Sequence, residues 1–269
     1  MKNRIIFCSV FLIIASGLFS SNVFAGNSGI DIMREREERQ THQSEYVRLE
    51  MSIFDSKDRE KKQVMHLWFY KDEKKQARTL MKFSSPSKVS GTGLLTWEQK
   101  ESEEDDQWLY LSAAKRVKRI AGSSKKNLFM GTDLAYEDLR PESLNAHTYK
   151  IVKEEMLDGK DCWIIEALPS TPSEKKYSGY SKRLLWIQKD NYLNVKTEFF
   201  GRGGKLIKIG SYRDPENIKG DLWVSNTTEM NRLSSKTKTI IIKTNRQIDQ
   251  EIDQTLITQQ GLKRPTNLK

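Results

Sequence analysis

The stretch Asp106-Gln-Trp-Leu-Tyr-Leu-Ser-Ala-Ala-Lys-Arg-Val-Lys-Arg-Ile120, continued by Ala121-Gly-Ser-Ser-Lys-Lys-Asn-Leu-Phe-Met-Gly-Thr-Asp-Leu-Ala-Tyr-Glu-Asp138, decides how the chain folds. It opens with a β-prone run, Trp108 to Leu111, followed by a small polar break at Ser112 to Lys115. Arg116-Val117-Lys118-Arg119-Ile120 then alternates charged and apolar residues, apart from the Lys118 and Arg119 pair. Two short strands around a tight connection fit this pattern. Gly122-Ser123-Ser124 interrupts the chain again. The stretch closes with Phe129-Met130-Gly131-Thr132-Asp133 and Tyr136-Glu137-Asp138. No catalytic constellation is visible in it. It reads as an aromatic edge of sheet with a basic strand beside it.

Outward from this edge the period is two. Toward the N-terminus, Val47, Leu49, Met51 and Ile53 alternate with Arg48, Glu50 and Ser52, which predicts a half-buried strand. In the returning strand, residues 64–70, both faces are apolar: Val64, Trp68 and Tyr70 on one, Met65, Leu67 and Phe69 on the other. A strand covered on both sides needs a second layer, either a helix or a ligand. Strands follow at 78–83 and 91–97. The acidic run at 101–106 lacks the turn glycine of a calcium loop and reads as a solvated hairpin tip. Toward the C-terminus, residues 147–156 and 159–168 pair around Asp158-Gly159, a favoured hairpin turn. Residues 169–178 read as a flexible loop. Further strands fall at 182–189, 193–200, 205–213, 221–233 and 236–244, and the tail 248–263 is expected to hold a last strand and a helical turn. Residues 28–45 read as a short polar helix capped by Asp31. About eleven or twelve strands joined by short polar turns predict a mainly β chain: a single large curved antiparallel sheet.

The pattern Trp108, Tyr110, Leu111, then Arg116, Val117, Arg119, Ile120, then Phe129, Gly131, Thr132, Asp133, Tyr136, Asp138 resembles the outer-membrane lipoprotein-sorting protein family. These are LolA-like periplasmic carriers. Upstream, Phe83, Pro86, Gly91, Thr92 and Leu94 fit the same family's stretch. The resemblance implies an unclosed β-barrel, LolA/LolB-like, whose concave side is covered by a helical lid over a hydrophobic cavity. It implies a non-catalytic carrier of a lipid or of a lipoprotein's acyl chain. The cargo would be a lipoprotein, a phospholipid or a polycyclic lipid. The partner would be an inner-membrane lipid exporter of the RND/MMPL or ABC type.

The N-terminus agrees with export. Lys2 and Arg4 precede an apolar run from Ile5 to about Phe19, which ends at Ser20-Ser-Asn-Val-Phe-Ala25. That is the layout of a secretory signal peptide, with cleavage expected after Ala25 and delivery to the periplasm. The run is short for a membrane span, which needs roughly 20 apolar residues. Cys8 sits inside the apolar run, away from the cleavage point, so it does not read as a lipid-modified cysteine. Residues 26–269 suit a single all-β domain, which commonly runs to about 200–250 residues. Only Cys162 survives cleavage. It therefore has no intramolecular disulfide partner and reads as a small core residue. The net charge of +10 suits anionic partners, an anionic membrane surface among them. Export argues against nucleic acid.

The signatures of catalysis are missing. His42, His66 and His147 are the three histidines, and none is paired at helical spacing for zinc. There is no Gly-x-Ser-x-Gly elbow. Gly201-Arg-Gly-Gly204 lacks the lysine of a phosphate loop. Asp133 and Asp138 suit caps or turns better than acid–base work. No enzyme, metal or cofactor is expected, and the chain is expected to be a monomer. The expected cavity wall is Leu49, Met51, Leu67, Phe69, Trp97, Trp108, Tyr110, Phe129 and Met130, with residues 28–45 as a movable lid. Arg116, Lys118 and Arg119 are placed to meet a head group, a membrane surface or a partner. Pro86, Gly91, Thr92, Gly131, Asp133, Tyr136 and Asp138 carry the family pattern. The alternative reading of the same fold is a periplasmic lipid sensor or interaction module that docks a membrane regulator or exporter.

Overall fold

The computed structural model describes residues 28–99 and 105–265. The leader, its cleavage point and residues 101–104 of the acidic run lie outside the described residues. From the first strand the chain runs stepwise to one edge of a sheet: β1 (Ser44–Phe54), β2 (Glu60–Lys71), β3 (Ala77–Ser85), β4 (Gly93–Trp97), β5 (Asp106–Leu111) and β6 (Arg116–Arg119). It then crosses to the far edge and steps back: β7 (His147–Leu157), β8 (Lys160–Pro169), β9 (Tyr180–Gln188), β10 (Asn194–Gly201), β11 (Leu206–Lys219), β12 (Leu222–Arg232) and β13 (Thr237–Ile248). The sheet order is β6-β5-β4-β3-β2-β1-β13-β12-β11-β10-β9-β8-β7. The two halves of the chain are therefore joined at the middle of the sheet by β1 and β13, in register from Glu45↔Ile248 to Phe54↔Lys238. Edges β6 and β7 do not pair, so the barrel stays open. Thirteen strands replace the eleven or twelve expected.

Local chemistry explains most boundaries. The β5–β6 turn passes through Lys115 in the left-handed region, at φ 49°. The β7–β8 hairpin turns on Asp158 and Gly159 at φ 51° and 78°, the positive pair that a tight right-twisted hairpin requires. Helix α1 (Gly29–Arg39) is capped by Ser28 rather than Asp31. Asp31 is the third helical residue, and its carboxylate accepts a hydrogen bond from the Ser28 N–H at 3.0 Å, a capping box. The loop expected at 169–178 contains a second helix, α2 (Pro172–Tyr177), with Thr171 as cap and Pro172 at its first position. Among the described residues the tail forms no strand beyond Ile248 and makes two 3-10 turns, Gln254–Leu256 and Gly261–Lys263.

Each face of the sheet has its own core. On the inner face, Val47, Leu49, Met51, Met65, Met81, Phe83, Leu94 and Leu109 pack with Phe129, Leu134 and Tyr136 from the 120–146 crossing. At the other end of that face, Ile32 and Met33 of α1 pack on Ile165, Ala167, Leu185 and Ile187. Gly29 permits this contact, because a Cβ there would lie 2.7 Å from the Tyr149 carbonyl oxygen. On the outer face, Trp68, Leu80 and Leu95 pack against Ile257 and Leu262 of the tail. The second layer required by the doubly apolar β2 is thus the crossing segment inside and the C-terminal tail outside.

Candidate functional site: an amphipathic cavity

Alternate residues of β1, β2 and β3 point to the inner face, and so do those of β9 to β13. Side chains from both halves meet around one cavity of about 590 Å³, so the sheet curls about it. That volume falls within the roughly 300–1,000 Å³ typical of small-molecule sites.

One wall is apolar. Val47, Leu49 and Met51 of β1, Met65, Leu67 and Phe69 of β2, and Met81 of β3 line it, joined by Phe129 and Leu134 of the crossing. Met230 and Ile241 extend it onto β12 and β13. Four flexible methionines in one wall suit a ligand of variable shape.

The opposite wall is charged, and most of its charges are paired. Arg183 on β9 grips Glu142 with both terminal nitrogens, at 2.7 and 2.8 Å. The Tyr149 hydroxyl adds a third bond to Glu142 at 2.5 Å. Burial acts to raise the Glu142 pKa, but the Arg183 guanidinium overrides it and holds the carboxyl well below the usual range. Arg140 donates to Glu174 at 2.9 Å, and Arg246 on β13 pairs with Glu45 on β1. Lys243 lies beside Arg246, and its ammonium donates to the Ser225 carbonyl at 3.1 Å. Burial, reinforced by Arg246, lowers its pKa to about 8. Arg36 projects into the cavity from α1, and burial lowers its pKa although Glu142 lies near.

The crossing segment is tied down by two of the family-pattern carboxylates. Asp133 is buried and accepts from the Thr239 hydroxyl at 2.8 Å and from the Thr237 hydroxyl. Asp138 accepts from the Ala135 N–H at 2.6 Å, from the Tyr180 hydroxyl at 2.8 Å, and from Lys208. Asp138 caps the 3-10 turn Tyr136–Leu139, whereas Asp133 is held by side-chain hydroxyls of β13 rather than in a cap or turn of its own. Tyr136 stacks edge-on against Phe129. Gly91 and Gly131 occupy left-handed turns at φ 78° and 81°. Thr92 shares a 3.1 Å hydroxyl contact with Ser112, and Pro86 follows a cis peptide bond. These residues shape the frame of the cavity.

Of the expected cavity wall, Leu49, Met51, Leu67, Phe69 and Phe129 line the cavity. Trp97, Trp108 and Tyr110 do not: they pack on the outer face with the tail. The alternation explains this, since Leu109, between Trp108 and Tyr110, is the inward residue of β5. Met130 is packed beneath the inner core without lining the cavity. Arg116, Lys118 and Arg119 are exposed on edge strand β6, and Arg119 donates to Asp106 at 2.9 Å. Cys162 is fully buried. Among the described residues no group of three His, Cys, Asp or Glu side chains is arranged to hold a metal. Sequence reasoning missed the charged wall. Its signal is a charge at an inward position of an otherwise apolar alternation, such as Glu45 before Val47, Arg183 before Leu185 and Lys243 after Ile241.

A family model described as "-like: Uncharacterized protein" matches residues 75–264. No curated protein matches the chain. Among solved structures, a domain described as an outer membrane lipoprotein-sorting protein from Vibrio parahaemolyticus is 28% identical, with TM-score 0.82, covering 88% of this chain and 98% of that one. A DUF1329 family protein from Desulfovibrio piger is 27% identical, with TM-score 0.82, covering 87% of this chain and 97% of that one. A LolA superfamily protein from Nitrosomonas europaea has TM-score 0.69 and covers 88% of this chain and 100% of that one. At 16% identity this last likeness is one of fold alone.

Proposed function

We propose, on the premise that the chain belongs to the outer-membrane lipoprotein-sorting, LolA-like family, that it is a non-catalytic periplasmic carrier. It shelters the acyl part of a lipid or lipoprotein and passes it between membrane partners. The observation that carries this reading is the cavity with its continuous apolar wall. An acyl chain in water costs about 0.8 kcal/mol per methylene, and the wall formed by Leu49, Met51, Met65, Leu67, Met81 and Phe129 recovers that cost. Transfer then needs only a gradient of affinity from donor to carrier to acceptor. A membrane exporter as donor or acceptor is part of the proposal, and the exposed basic edge β6 is its natural contact.

The test is mass spectrometry of organic extracts from the mature protein, purified from its own envelope without detergent. A stoichiometric lipid or acylated peptide supports the carrier and identifies the cargo class. An empty protein that also fails to release an apolar dye when lipid is added rules the carrier out. The sensor or interaction module would then be the better reading.

A further inference from the structure

The ion pairs of the charged wall leave a remainder. Arg183, Arg140 and Arg246 each face a carboxylate. Arg36 and Lys243, which line the same cavity, have no carboxylate within ion-pair distance among the described residues. The nearby acids are already engaged. Glu142 receives the Arg183 fork and the Tyr149 hydroxyl, and Glu45 receives Arg246. The Arg36 Nε is buried without a hydrogen-bond partner, and Lys243 has a single neutral acceptor, the Ser225 carbonyl. Two half-buried cations without an ion-pair partner carry an uncompensated desolvation cost. Facing an apolar wall across the same cavity, they form the complement of an amphiphile with a negative end.

We propose that the cavity selects an acidic amphiphile, its chain on the Leu49, Met51 and Leu67 wall and its carboxylate or phosphate at Arg36 and Lys243. This rests on the carrier reading and names its ligand class. The acidic group supplies the missing counter-charge, with charge-assisted hydrogen bonds from both cations. A neutral lipid of the same length gains only the apolar contact and leaves the two cations unpaired.

The experiment loads the mature protein with the neutral dye N-phenyl-1-naphthylamine. It then compares displacement by dodecanoate, dodecyl phosphate and dodecanol at neutral pH. At least one acid should displace the dye about tenfold more effectively than the alcohol. A phosphate preference points to phosphorylated lipids, and a carboxylate preference to free fatty acids. Lys243→Met and Arg36→Met should each shrink the ratio of acid to dodecanol displacement, and Lys243→Arg should keep it. Equal displacement by acid and alcohol in the wild-type protein overturns the acidic-headgroup inference and leaves the carrier standing. No displacement by any of the three overturns both. Thermal melts of each variant identify any that fail to fold; Lys243→Arg and Arg36→Met then decide the matter.

Discussion

Arg183 and Glu142 define what the charged wall costs and contributes. Removing one partner of a buried pair strands the other, at about 3–5 kcal/mol. We therefore expect Arg183→Met to lose about that much stability at neutral pH in urea unfolding. The paired Glu142 is held below its ordinary value of 4.5, so its contribution is present above that value and is lost as pH falls through the lower folded value. Without Arg183, burial favours the neutral form of Glu142 against only the Tyr149 hydroxyl and His147, so the gap between variant and wild type should narrow as the pH is lowered. A gap constant with pH would show that Arg183 acts through packing alone. Lys243 has the opposite sign. Its folded pKa is lowered from 10.5 to about 8, so the unfolded chain binds the proton more strongly. The penalty is fully present below pH 8 and fades as pH rises toward 10.5. Lys243→Met in delipidated protein should gain on the order of 2–3 kcal/mol at neutral pH. That gain should vanish by the upper end of the window. A destabilised variant at pH 7 would mean that the ammonium is better solvated than its surroundings indicate. Stability given up at a binding residue is a common trade.

At the scale of elements, the inward apolar alternation of β1 and β2 was legible because one face is uniformly apolar and the turns are polar. The doubly apolar strands were not, because alternation separates two faces without saying which is inside. Trp97, Trp108 and Tyr110 were therefore assigned to the wrong side: their covering layer is the tail, well over a hundred residues away in sequence. The tail is held by named contacts. Leu262 and Ile257 are buried to 0% and 1% exposure. Lys82 donates to the Gly261 carbonyl at 3.3 Å and Trp97 Nε1 to the Ile257 carbonyl at 3.3 Å. Gly261 admits no side chain, since a Cβ there would sit 2.1 Å from the Leu256 carbonyl oxygen. Gly261→Ala should loosen the tail and expose the tryptophans beneath. The checks are a red shift and easier quenching of Trp emission, and faster proteolytic cleavage near 250–265. Dye binding in the cavity should change little, because the sheet separates the two sites. A large loss of dye binding would mean that the two faces are coupled. The charged wall was unread for a related reason. Its members are scattered over α1, β1, β9, β13 and the crossing segment, and only the inward positions of Glu45, Arg183 and Lys243 hinted at it.

The whole molecule is a sheet closed at its centre by β1 and β13 and open at its edges, with its own crossing segment threaded inside. This division assigns different fates to aromatic residues that look alike in sequence. Phe83 is fully buried in the inner core, so Phe83→Asp should simply fail to fold. Phe69 lines the cavity and is half-buried, with His42 tilted against its ring at 4.9 Å. Phe69→Asp should leave the fold standing, because the new carboxylate can stay solvated in an empty cavity. An acyl chain filling that cavity would force it to desolvate, at a cost of several kcal/mol. Ligand retention should therefore fall by more than about a hundredfold, which corresponds to about 2.8 kcal/mol. Trp108→Asp is the control on the opposite face, where it should disturb the tail and spare retention. Dye titration and thermal melts of the two variants separate the outcomes. If Trp108→Asp empties the protein while Phe69→Asp does not, the ligand occupies the outer aromatic face, and the tail rather than the crossing segment is what it must displace.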